Sequence, residues 1–153
     1  MTEGSALLVV HHTTSPATRE LLEAVLAGTA AEGLESVEVT VRAALSATLA
    51  DLLAADAVLL GTPANIGYMS GALKHFFDTV YYPALTAKTG MPYGLWVHGN
   101  DDTTGAIRAV EAIAKGMGWK PALPPVSAIG SPSKADTEAC WNLGATVAAR
   151  LAT

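Results

Sequence analysis

The stretch ALLVVHHTTSPATR, Ala6–Arg19, decides the fold class. Ala6–His11 is a near-continuous apolar run, the pattern of a strand covered on both faces. Thr13, Thr14, Ser15 and Thr18 then crowd four hydroxyls into a short turn. Ser15 is a good N-cap, and Pro16 follows at the first helical position, where a missing N–H leaves no bond unmade. Leu21, Leu22, Val25 and Leu26 come next at helical spacing. A strand buried on both sides that runs straight into an amphipathic helix is half of a βαβ unit, and it predicts a parallel sheet.

The alternation continues outward from that stretch. Val37, Val39 and Val41 alternate as a second strand, and Leu45, Leu49, Leu52 and Leu53 mark a short second helix. Ala55–Leu60 reads as the third strand, ended by Gly61-Thr62-Pro63, with a helix predicted from about Ser70 to Tyr82. Tyr93–His98 is the fourth strand, Thr103–Gly116 the fourth helix and Val126–Ile129 the fifth strand. Ala135–Leu151 closes the chain as a helix with Cys140, Leu143, Val147 and Leu151 on one face. Five strands alternating with five helices predict one α/β domain over residues 1–153, with helices on both faces of the sheet. Ligands of such sheets bind beyond the carboxyl ends of the strands, near the topological switch point. The loops after strands one, three and four are therefore the places to look.

Composition narrows the function classes. Half of the chain is hydrophobic, yet only 6% is aromatic and 15% charged, because alanine supplies much of the apolar count. Such a chain predicts close-packed helices on a tight core, and its apolar runs are too short to cross a bilayer. A net charge of −5 with no run of Lys or Arg excludes a phosphate-neutralising nucleic-acid surface. The single cysteine, Cys140, excludes an internal disulfide and fits a reducing compartment. Met1–Ser5 carries no basic segment or cleavage motif, so an unprocessed cytoplasmic protein is expected.

Each of the three loops carries polar chemistry. The first places its hydroxyls at a helix N-terminus, where free N–H groups and the positive end of the macrodipole attract phosphate. No Lys or Arg precedes Arg19, so an anion there would be held by neutral donors, and no GxxxxGK[ST] loop is present. The second loop, Gly61–Met69, is longer than a plain βα turn. Its glycines permit close backbone approach to a flat ligand, Asn65 can donate and accept, and Tyr68 and Met69 offer apolar contact. In the third loop, His98–Gly105, the pair Asp101-Asp102 reads as charge at a helix start rather than a metal site. His11 and His12 point to opposite faces of a strand and so do not ligate a metal together. No GxSxG elbow exists.

GTPANIGYMSGALKHFFD, Gly61–Asp78, resembles the flavin-loop-plus-helix signature of flavodoxin-like FMN proteins. It is most similar to the NAD(P)H-dependent FMN reductases and flavodoxin-like quinone reductases, with Ser70-Gly71-Ala72-Leu73-Lys74 and Phe77-Asp78 the most specific part. The first loop resembles that family's T-x-[TS]-G-x-T phosphate loop, with Thr13, Ser15 and Thr18 at the hydroxyl positions. The order and spacing of elements fit from Ala6 to Leu151. The resemblance implies a three-layer flavodoxin-like sandwich whose five-stranded parallel sheet runs 2-1-3-4-5. It implies Thr13, Thr14, Ser15, Ala17 and Thr18 around the FMN phosphate, and Pro63, Ala64, Asn65, Ile66, Gly67 and Tyr68 along the isoalloxazine. His98, Gly99, Asn100 and Gly105 would close over the ring's other side. One departure stands out: the family's phosphate-loop glycine is Pro16 here, which removes a backbone donor.

The resemblance further implies an oxidoreductase in which NAD(P)H reduces bound FMN and a small acceptor, such as a quinone or a flavin, takes the electrons onward. No side chain need act as acid or base. His98 is the candidate for tuning charge near the ring, against the plainer reading of a histidine satisfied by a backbone carbonyl. Two alternatives remain: a flavodoxin-type single-electron carrier, and a binding module of the same fold that has lost FMN. Tyr68 is the only aromatic in the second loop, which counts against the first, and Pro16 is the only support for the second. A phosphoreceiver is excluded, since Gly61-Thr62 stands where its aspartate belongs. A homodimer or homotetramer is expected, with Phe76, Phe77, Tyr81 and Tyr82 either forming the interface or covering the sheet. No nucleic acid, membrane insertion or metal is expected.

Overall fold

The computed structural model describes residues 4–153; residues 1–3, part of the segment read as leader-free, lie outside it. Seven strands and five helices alternate: β1 (Ala6–His11), α1 (Pro16–Thr29), β2 (Glu38–Ala43), α2 (Leu49–Ala54), β3 (Ala57–Asn65), β4 (Tyr68–Met69), α3 (Gly71–Val80), β5 (Pro92–Gly99), α4 (Thr104–Gly116), β6 (Lys120–Pro121), β7 (Val126–Ile129) and α5 (Lys134–Ala149). The main path through the sheet is β2-β1-β3-β5-β6, with β7 also on β5 and β4 on β3. All pairings are parallel except β3 with β4. The expected flavodoxin order is present, its fifth place shared by the short β6 and β7.

Side-chain alternation along β1 shows why the sheet needs two helical layers. Leu8 and Val10 join a core with Leu52, Leu73, Phe76, Val110 and Met117, under α2, α3 and α4. Leu7 and Val9 point the other way, into a core with Leu21, Val25, Leu143 and Val147, under α1 and α5. Alanine's role is visible here: Ala57, Ala84, Ala106, Ala114 and Ala128 are fully buried, filling space where helices and strands approach closely. Of the four aromatics on and beyond α3, Phe76 and Phe77 are core residues and Tyr81 packs against that core. Only Tyr82 stands free, at 81% exposure, so the stripe chiefly covers the sheet.

Helix starts follow the side-chain caps. Ser15, Thr48 and Ser133 each form a reciprocal capping box with the residue three positions on, and Ser70 caps α3 through the Leu73 N–H. The Thr48 box fixes the start of α2 at Leu49, which leaves Leu45 before the helix and 66% exposed, outside the helix the spacing predicted.

The largest difference from the sequence reading lies after β3. Residues 61–69 are not an open loop: β3 runs on to Asn65, and Tyr68-Met69 pair back antiparallel onto Asn65-Ala64. Ile66 (φ 49°) and Gly67 (φ 71°) form the two-residue turn, as type I′ hairpins require. The long "loop" is a β-hairpin standing beyond the carboxyl edge of the sheet. At its base, the buried Thr62 hydroxyl accepts from the Ser70 N–H at 3.0 Å and donates to the Pro63 carbonyl at 2.8 Å.

Candidate functional site at the carboxyl edge

Register brings the carboxyl ends together. His11 lies beside Gly61, Pro63 beside His98, and His98-Gly99 beside Ala128-Ile129. Gly61 is required there because the Trp96 indole covers it, only 2.0 Å from where a Cβ would stand.

A groove of about 540 Å³ opens at this edge, lined by Ser15, Pro16, Ala17, Glu20, His98, Asn100 and Gly130-Ser131-Pro132. That volume falls in the range of about 300–1,000 Å³ usual for small-molecule sites. A larger cavity of about 710 Å³ lies at the opposite edge, lined by Gly4, Ala6, Glu38, Ala54 and Asp56. It offers two carboxylates, one already accepting the Ala6 N–H, so the donor-rich carboxyl edge is the better anion site.

Within the first loop the hydroxyls divide their work. Thr18, 5% exposed, accepts the N–H of Thr14 at 3.0 Å and of Ser15 at 2.9 Å, and donates to the Ser15 carbonyl at 3.0 Å. Ser15 Oγ accepts the Thr18 N–H at 3.1 Å as the helix cap. Thr18 is therefore turned into the loop, holding it closed, rather than out toward the groove. Thr13 has its hydroxyl 2.8 Å from His11 Nδ1, and Thr14 is exposed. Ala17 reaches the groove at the first turn of α1, where backbone N–H groups lack intrahelical partners.

The hairpin residues sit apart from that groove. Pro63 is buried, Ala64 half-buried, and Asn65, Ile66, Gly67 and Tyr68 are exposed along the hairpin. The Gly67 carbonyl lies 1.9 Å from where a Cβ on Gly105 would stand, so the hairpin tip rests directly on the start of α4. Gly99 is pressed against the Asp102 carbonyl in the same way, at 2.7 Å. The second and third loops thus touch where the hairpin tip meets the start of α4. His98 and Asn100 belong to the groove, while Gly99 and Gly105 lie at these close contacts.

His98 is 8% exposed and its Nε2–H donates to the Gly130 carbonyl at 2.8 Å. The carbonyl fixes the tautomer, since only a protonated nitrogen can pair with it. His98 is therefore held by backbone, the plainer of its two readings, and it ties the third loop to Gly130-Ser131-Pro132. Sequence reasoning missed those three residues; their signal was a Gly-Ser-Pro run directly after the last strand, at the same sheet edge. The Thr104 N–H and hydroxyl both donate to Asp102 and hold its carboxyl below the usual range. Among the described residues no group of His, Cys, Asp and Glu could hold a metal ion.

Charges of both signs flank the first loop: Arg19 follows it, and Glu20 lines the groove. His11 has its pKa lowered by burial first, then by the nearby positive charges of Arg19 and His12. The His12 Nδ1 is buried with no hydrogen-bond partner. A helix start rich in neutral donors fits the phosphate of FMN.

A family model described as NADPH-dependent FMN reductase matches residues 21–131. The chain belongs to that family. The members are flavodoxin-like FMN proteins, and the match takes in the hairpin and the third loop but begins after the first loop. A flavodoxin from Aquifex aeolicus (strain VF5) is 38% identical over 74 residues, which are 48% of this chain and 39% of that protein. The chain thus matches well under half the length of that curated relative. Among solved structures, a flavodoxin from the domain Archaea superposes with a TM-score of 0.78 at 22% identity, covering 95% of this chain and 98% of that one. A WrbA-like flavodoxin from Agrobacterium tumefaciens gives 0.76 at 23% identity, covering 96% and 97%. At such identities the structural likeness establishes the fold. None of the described helices is long and apolar enough to cross a membrane.

Proposed function

We propose that this FMN reductase relative is an NAD(P)H-dependent oxidoreductase that passes electrons through bound FMN to a small acceptor such as a quinone or a flavin. The observation that carries the reading is the family match over 21–131 together with a neutral-donor groove at the start of α1. FMN, when bound, supplies the hydride-accepting and electron-donating chemistry.

The chain's own residues do the binding and positioning. The N–H of Ala17, the Ser15 and Thr13 hydroxyls and the α1 dipole hold the phosphate. Thr18 shapes this loop from inside, which makes it a positioning residue. Pro16 leaves the loop one N–H short. The hairpin supplies backbone N–H groups and the faces of Ile66 and Tyr68 to a flat ring. His98 and Gly130 keep the far wall in place.

The single-electron carrier is the second reading, favoured by the flavodoxin names of the curated relative and the superposed structures. One titration separates the two. With FMN bound and oxygen excluded, adding NADPH or NADH is expected to bleach the flavin absorbance within seconds. A bound flavin that no nicotinamide bleaches, but dithionite does, establishes the carrier instead. Thr13→Ala is expected to weaken FMN binding about tenfold. It is a cleaner probe than Ser15→Ala, because Ser15 also caps α1.

A further inference from the structure

The strand β2 forms one margin of the sheet, and among the described residues no strand pairs with its outer side. The Glu38 N–H donates to the Ser5 carbonyl at 2.8 Å and the Ala44 N–H to the His11 carbonyl at 2.7 Å. In a parallel ladder the backbone groups of alternate residues point to the same neighbour. Glu38, Thr40 and Arg42 are therefore turned toward β1, and Val39, Val41 and Ala43 offer their N–H and C=O groups outward. Exposed edges are usually blunted by charged side chains, above all lysine, by proline or by a bulge. The sequence EVTVRA has no lysine or proline, and its six residues pair with β1 in unbroken register.

Its charges instead have an order that makes sense on reversal. Read backward from Thr40, the strand places Arg42 where Glu38 stood and Val41 where Val39 stood. We propose that β2 pairs antiparallel with β2 of a second copy of this chain, about a two-fold axis at Thr40, to make one continuous sheet through a homodimer. Val39 and Val41 of opposite copies then exchange both backbone hydrogen bonds. Thr40 faces Thr40, and Glu38 faces Arg42, as non-hydrogen-bonded pairs, where side chains approach most closely. Thr–Thr, β-branched and opposite-charge pairs are the cross-strand combinations that stabilise such ladders.

The surroundings suit a second copy. Arg42 already holds Asp51 at 3.3 Å, so its guanidinium is fixed at the edge, between that carboxylate and the incoming Glu38. On the opposite face Leu26, Leu34, Val37, Val39 and Val41 line an apolar groove of about 450 Å³. Val41 is 38% exposed, and Leu45, two residues past the strand, is 66% exposed. Antiparallel pairing sends the carboxyl edges of the two sheets to opposite ends of the particle, so both candidate sites stay open. The inference does not depend on FMN or on the proposed reaction.

The test combines light scattering with a cysteine lock. The chain is expected to elute as a two-chain particle. Under mild oxidation Thr40→Cys is expected to give a disulfide-linked dimer, since a non-hydrogen-bonded pair separates Cα atoms by only about 4.5 Å. Val39→Cys, which faces Val41 rather than itself, should not link, and the buried native Cys140 does not compete. Glu38→Arg sets two arginine pairs against each other and is expected to weaken the dimer about tenfold or more; adding Arg42→Glu to that variant should restore it. A monomer at every accessible concentration overturns the proposal. So does a dimer that Thr40→Cys fails to lock or that Glu38→Arg leaves unchanged. If a charge variant does not fold, the cysteine lock still decides, because it leaves both charges in place.

Discussion

Ile66 is a β-branched residue at a positive φ of 49°, and its side chain is fully exposed at the hairpin tip. Type I′ turns favour Asn at this position, and a β-branched residue held there costs about 1 kcal/mol or more. Nothing in the fold repays that cost, since the side chain touches no core. Under the proposed function its use is to cover one face of the flavin ring. Ile66→Asn is therefore expected to act in two directions. It should raise stability by about 1 kcal/mol, or a Tm gain of roughly 2–4 °C, and weaken FMN binding severalfold. A variant that gains stability and loses no FMN affinity removes Ile66 from the site. Nearby, His11 gives a pH signature. Its folded pKa lies below the 6.5 of the free side chain, so the unfolded chain binds the proton more readily. Stability is then lost as pH falls from about 6.5 toward the lower folded value. Thermal melts between about pH 7.5 and about pH 5 should show a smaller fall in Tm for His11→Gln than for the parent chain.

Between elements, two helices meet with almost no side chain between them. A Cβ on Gly28 would stand 2.1 Å from the Trp141 carbonyl, and one on Gly144 would stand 2.1 Å from the Val25 carbonyl. The backbones of α1 and α5 thus touch through reciprocal glycines. Gly144→Ala is expected to force them apart and cost about 2 kcal/mol. The same change at Gly71, which has nothing within 4 Å and begins α3, is expected to be neutral or to stabilise by up to about 1 kcal/mol. Urea melts of the two variants check the opposite signs. Elements of this kind mark what the sequence could and could not convey. The strands, the helices and the cap at Ser15 were readable, because period, capping side chains and proline position are local. The hairpin at 61–69 was not: β3 continued through Gly61-Thr62-Pro63, residues that locally signal a stop. Pairing with Trp96, Val97 and His98 of β5 keeps those three residues in the strand, and Tyr68-Met69 pair with Ala64-Asn65 beyond them. The groove's Gly130-Ser131-Pro132 side was equally hidden, since the His98–Gly130 bond joins residues 32 apart. The inward turn of Thr18 depends on tertiary placement in the same way, because four hydroxyls within one short turn look alike until one is buried.

Across the whole molecule, Cys140 reports on how the layers come apart. It is fully buried, with its thiol pushed up to about 12 by burial and by the Asp136 charge. The thiolate is the reactive form, so a thiol reagent finds almost none in the native fold. Its helix is anchored on two sides, by the glycine contact with α1 and by Leu143 and Val147 pressing on Gly94 of β5. Pulling α5 away exposes the sheet, so the opening that frees Cys140 is close to global unfolding. A ligand that binds only the folded chain then slows labelling by the factor 1 + [ligand]/Kd, about a hundredfold at 100 times Kd. Saturating FMN is therefore expected to suppress Cys140 labelling by that factor, although the groove lies beyond the sheet edge and does not touch the cysteine. Labelling that proceeds at the same rate with and without bound FMN means that α5 detaches by itself while the flavin site stays formed. In that case the two helical layers are separate cooperative units, and the core under α1 and α5 is the weaker one.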